Sequence, residues 1–113
     1  MKLVVAVVNP RALDDIKTAV RVIGVSGMTI TEAHGVGHEP GHTEVYRGAA
    51  YEVDFIPRLR IEILVDDVDA ERVADAIAQW TATGHVGDGM VWVSHVESAL
   101  RINTGERDAA AVS

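Results

Sequence analysis

One short stretch of this 113-residue chain carries groups suited to holding an anion. In Gly87-Asp88-Gly89, between an expected helix and an expected strand, glycine freedom lets backbone N–H groups turn toward phosphate oxygens. By itself such a triplet is most often only a turn. His34, His38 and His42 recur every four residues, a spacing that serves a metal only on a helix. Gly35, Gly37, Pro40 and Gly41 interrupt any such helix, so no metal site is expected from them. The chain has no cysteine, which removes disulfide and thiol chemistry. No paired carboxylates or activated nucleophile stand out, so the expectation is a binding protein and not an enzyme.

The elements that must position these groups follow from apolar spacing. Leu3 to Val8 is a continuous, mostly β-branched run ending before Pro10, the pattern of a strand covered on both faces. Leu13, Ile16, Val20 and Ile23 form one helical stripe, stopped by Gly24. Met28 to Ala33 alternates with threonines as a second strand. Leu59, Ile61, Ile63 and Val65 alternate with Arg58, Arg60, Glu62 and Leu64, a strand with one committed core face. Asp69 is the expected N-cap of a second helix carrying Ala70, Val73, Ala74, Ile77 and Ala78, which Gly84 closes, and Met90 to Val93 is the last strand.

Two strand-helix-strand units in one domain, 1–113, predict an α+β, ferredoxin-like split β-α-β sandwich. Right-handed crossovers put both helices on one face of a four-stranded antiparallel sheet. The other face then leaves Val4 or Val5, Leu64 and Trp92 uncovered, and a second copy of the chain is the simplest cover. Trp80 and Trp92 are expected in the core or at such an interface. Residues 36–56 form a connection too long for an ordinary loop, carrying Tyr46, Tyr51 and Phe55, and are expected to be an interaction arm whose Gly37 to Phe55 is disordered when free. Residues 108–113 are expected to be a flexible tail.

Composition narrows the partners. An apolar content of 48% supports a globular core. A net charge of −7 argues against a generic nucleic-acid binder. The run Leu3 to Val8 is too short to span a bilayer and lacks the flanks of a signal peptide, so a cytoplasmic protein is expected.

Three stretches, Tyr46-Arg47-Gly48-Ala49-Ala50-Tyr51, Thr83 to Val93, and Arg101-Ile102-Asn103-Thr104-Gly105-Glu106, together resemble the PII nitrogen-signalling family, and the likeness runs from Lys2 to about Ala110. The resemblance implies a homotrimer that binds ATP or ADP in clefts between subunits. 2-Oxoglutarate would join through Mg-ATP at the base of the long loop. Thr29, Gly35, Gly37, His38, Glu62, Leu64, Gly87, Asp88 and Gly89 would line the nucleotide site, with Arg101 reaching phosphates across the subunit boundary. Glu39 and Arg58 would serve the effector and Mg site, Arg47 would dock into a target, and Tyr51 is the candidate for modification. An ammonium transporter or a regulatory enzyme of nitrogen metabolism would be the partner, so membranes enter only through a transporter.

The departures from the family pattern bear on the ligand. Met90 and Asn103 stand where the family carries cations, His38 replaces a usual basic residue, and Glu39 replaces a glutamine that ligates Mg. A charge-assisted hydrogen bond contributes about 1.5–3 kcal/mol. Losing two costs roughly 3–6 kcal/mol, a hundred- to ten-thousand-fold in affinity. The alternative is therefore a carbon- or energy-linked variant that recognises ADP, AMP or bicarbonate and binds ATP weakly. Arg58, in place of a lysine, keeps its charge.

Overall fold

The computed structural model describes residues 1–25, 27–36 and 55–112 in full, and the strand backbone of 42–46 and 49–53. β1 (Lys2–Val8) is followed by a 3-10 turn at Pro10–Ala12 and by α1 (Leu13–Ile23). Asn9 caps that turn by accepting from the Arg11 N–H at 3.0 Å. Gly24 ends α1 at φ +94, and its N–H returns to the Arg21 carbonyl, the left-handed cap that glycine permits at least cost.

β2 (Thr29–Gly35) leads into the long connection, where β3 (His42–Tyr46) and β4 (Ala49–Val53) pair as a separate two-stranded ribbon. β5 (Ile56–Val65), α2 (Ala70–Thr81) and β6 (Gly89–His95) complete the second unit, and α3 (Ala109–Val112) comes last. The main sheet has the order β2-β5-β1-β6, and every neighbouring pair is antiparallel. This is the expected ferredoxin-like α+β arrangement.

Register decides which face each side chain serves. Val4 lies opposite both Ile63 and Val93, and Ala6 opposite Ile61 and Val91. These residues pack with Ile16, Val20, Val73 and Ile77 of the two helices into one buried cluster. Burying side chains of that size contributes about 1.5–3 kcal/mol each relative to leaving them in water. On the opposite face Leu64 and Trp92 stay 36% and 38% exposed, whereas Val5 of the same face is buried. Of the two residues expected to need cover, Val4 belongs to the core.

Two local details depart from expectation. α2 ends at Thr81, before Gly84, because Ala82 turns extended while the Thr81 hydroxyl donates back to the Ile77 carbonyl at 2.7 Å. Asp69 stands at the expected N-cap of α2 but makes no side-chain cap bond; its carboxylate takes the Arg72 guanidinium at 2.7 Å, while Asp66 caps the preceding 3-10 turn. In the single chain Trp80 is 46% and Trp92 38% exposed, outside the core. Residues 109–112 form α3, whose Ala111 is buried.

Candidate functional site

The expected nucleotide residues fall into two groups. Thr29, Glu62 and Leu64 lie on the face away from the helices, with Thr29 opposite Glu62 and Leu64 opposite Leu3. With Met28 and Arg101 they border a groove of 700 Å³ near the start of β1. Glu62 is half-buried, and its carboxylate accepts from the Arg60 Nε at 2.8 Å. The Arg60 guanidinium in turn lies 5.7 Å from the centre of the Trp92 ring. Strand alternation puts Arg60 and Glu62 on one face, and the register across β1 brings Trp92 to them. Arg101 is the one cation among the described lining residues, against Glu62, Asp66 and Asp69. A phosphate therefore has one place to go, beside Arg101, while the carboxylates suit amino or hydroxyl groups as hydrogen-bond donors.

The second group lies near the other end of β1. Gly35 closes β2 beside Arg58, where a Cβ would come within 3.2 Å of the Arg58 Cγ. Gly87, Asp88 and Gly89 form the turn into β6, with φ of +99 at Gly87 and +108 at Gly89. The Asp88 carboxylate is committed inside the turn. It accepts from the Thr83 hydroxyl, from the Thr83 N–H at 2.7 Å and from the Gly84 N–H at 3.0 Å. These bonds, the Thr83 hydroxyl foremost, hold its pKa below the ordinary carboxylate value. Gly89 is demanded by the sheet itself, because a Cβ there would come within 2.1 Å of the Val7 carbonyl oxygen. The turn also borders a second cavity of 550 Å³, shared with Arg11, Asp15 and His85.

The sheet separates the Thr29 groove from the glycine turn, although Gly35 ends the same strand that carries Thr29. β2 and β6 are its outer strands, with β5 and β1 between them, a span of roughly 14 Å at ordinary strand spacing. Arg101 of the same chain borders its own Thr29 groove, so within one subunit it does not join the glycine turn. Met90 follows Gly89 and is 67% exposed. Gly37, His38, Glu39, Arg47 and the Tyr51 side chain lie outside the described residues; the Tyr51 backbone pairs with Glu44 in the ribbon. Among the described residues no cluster of metal-ligating side chains occurs, and no helix is long and apolar enough to cross a membrane.

The family described as Nitrogen regulatory protein P-II matches residues 1–106. The chain belongs to the PII family. It is 47% identical to the nitrogen regulatory protein P-II of Rhodospirillum rubrum, and 46% identical to that of Azospirillum brasilense. It is likewise 46% identical to the nitrogen regulatory protein P-II 1 of Escherichia coli K12. Each alignment spans 99% of this chain and 100% of the relative. The PII match takes in both groups of residues, from Thr29 in the groove to Gly89 in the turn and Arg101 in the segment after β6.

Proposed function

We propose that this chain is a nitrogen-regulatory signalling subunit of the PII type, which binds adenine nucleotides between copies of itself and relays their occupancy through residues 36–56. Full-length identity to nitrogen regulatory proteins supports the regulatory role. One observation carries the site: a single chain has two incomplete halves, a groove with one arginine and a glycine turn on the far edge of the same sheet. Rotational assembly of identical copies sets the turn of one chain against the groove of the next. In that cleft the turn supplies backbone N–H donors, Thr29 and Glu62 receive the nucleoside, and Arg101 meets phosphate. Arg58 and Glu39 serve 2-oxoglutarate and Mg, Arg47 docks into a transporter or enzyme of nitrogen metabolism, and Tyr51 is the modification site. The subunit works in the cytoplasm as a regulator without catalysis of its own. Calorimetric titration with ATP, ADP and AMP, each with and without 2-oxoglutarate and Mg, tests the site. Saturable binding of at least one nucleotide is expected, and no heat with any of them sinks the proposal.

A second reading, an energy-linked variant favouring ADP or AMP, is supported by the exposed Met90 after the turn and by three groove carboxylates facing one arginine. Met90→Lys combined with Asn103→Arg then strengthens ATP binding more than AMP binding, and the gain shrinks as salt rises. Equal gains for both nucleotides count against it.

A further inference from the structure

The segment after β6 closes on itself and then returns to the groove. Leu100 bridges to Arg107. The Arg101 N–H donates to the Glu106 carbonyl at 2.9 Å, and the Gly105 N–H donates to the Arg101 carbonyl at 2.8 Å. Asp108 makes the corner. It has φ +55, and no other described residue apart from glycines has a positive φ. Aspartate tolerates this left-handed conformation better than most residues, yet it is held only where surroundings fix it. Here its N–H donates to the Ala99 carbonyl at 2.9 Å, and its carboxylate accepts from the Ala99 N–H at 3.2 Å.

Beyond that corner, α3 turns back so that Ala109, Ala111 and Val112 wall the same groove as Thr29 and Glu62. The Ala111 carbonyl accepts from the Arg101 Nη2 at 2.7 Å. One N–H of the groove's one described cation is therefore already held by the chain's own backbone.

We propose that residues 99–112 are a built-in latch, in which the Ala111 carbonyl occupies Arg101 until a nucleotide phosphate displaces it. This rests on the groove being a nucleotide site. A carbonyl is a neutral acceptor, and a phosphate oxygen makes a charge-assisted bond about twice as strong. The exchange therefore runs toward the ligand and frees α3. Arg101 links two positions of the strap to two states of the groove, so the strap end reports occupancy at the surface.

The test leaves Arg101 and the chain length untouched. Asp108→Pro fixes φ near −65° and removes the N–H to Ala99, which opens the corner. Asp108→Gly keeps the corner and loses only the carboxylate. Titration with ADP is expected to show binding about tenfold tighter for Asp108→Pro, corresponding to a latch closed in about nine molecules of ten, with Asp108→Gly between it and the parent. Equal affinity in all three overturns the latch and leaves the nucleotide site standing. Absence of ADP binding in all three overturns the nucleotide site and the latch together. In the unaltered protein the Ala111 and Val112 amides should exchange faster once ADP is bound. Unchanged exchange in a protein that binds ADP contradicts the latch even if Asp108→Pro fails to fold.

Discussion

Ile63 and Leu64 are neighbours on β5 and serve opposite faces of one sheet. Ile63 is fully buried against the helices, and Leu64 is 36% exposed beside the groove. The helix-covered face packs a continuous apolar core within one chain. The other face carries Arg60, Glu62, Met90 and Trp92, a mixture that no single copy covers. The first face specifies the fold. The second has more chemistry than a fold requires, and much of it stays exposed in the single chain.

Truncating each neighbour sharpens that contrast. Ile63→Ala removes a side chain from a closed core and is expected to cost about 2–5 kcal/mol in urea unfolding. Leu64→Ala should cost the single chain well under half of that, and show instead as weaker self-association in sedimentation. Similar unfolding losses for the two would mean that the faces are equally committed.

The glycines provide a smaller contrast. Gly89→Ala meets both a positive φ and the Val7 carbonyl, and should destabilise by about 1–3 kcal/mol. Gly84→Ala also has a positive φ but nothing within 4 Å, so it should cost about 1 kcal/mol, the left-handed penalty alone. Equal losses would show that the approach of Gly89 to β1 relaxes freely.

Smallest is an acid-side effect at the start of the sheet. The N-terminal ammonium at 2.7 Å and the Lys2 Nζ at 3.1 Å lower the Asp67 pKa to about 2 from an ordinary 3.8. The folded state favours the charged form, so this stabilisation is present above pH 3.8 and is lost as pH falls toward 2. Asp67→Asn should flatten the acid limb of the stability profile over that window. Asp67 is exposed, so the effect is small and weakens with salt. An unchanged limb would assign acid sensitivity to other carboxylates.

How much was legible in the sequence divides along the same two faces. Ile16 and Val20 on α1, and Ile61 and Ile63 on β5, announce themselves by period, because a closed core imposes one periodicity on everything that touches it. The groove residues Thr29, Glu62, Leu64 and Arg101 were legible only through resemblance to the family, since neither their types nor their spacing mark a site. The Arg60–Glu62–Trp92 trio needed the register of three strands. α3 was hidden by small residues, although an alanine run favours helix. In the long connection, Thr43, Val45 and Tyr46 before Arg47-Gly48, and Tyr51 and Val53 after, carried a hairpin signal that the glycines and Pro40 upstream obscured.

The central claim is that the groove of one chain and the glycine turn of another make a single nucleotide site, and mixing two damaged chains tests it most directly. Arg101→Glu spoils the groove, and Gly87→Val spoils the turn by placing a branched side chain at φ +99. Each variant alone should bind ADP far more weakly than the parent. After the two are unfolded and refolded together, about a quarter of the clefts should pair an intact groove with an intact turn and recover full affinity, as random assembly into a ring requires. A mixture that binds no more ADP than the separate variants, while the parent binds normally, would place both halves of the site within one chain and contradict the account.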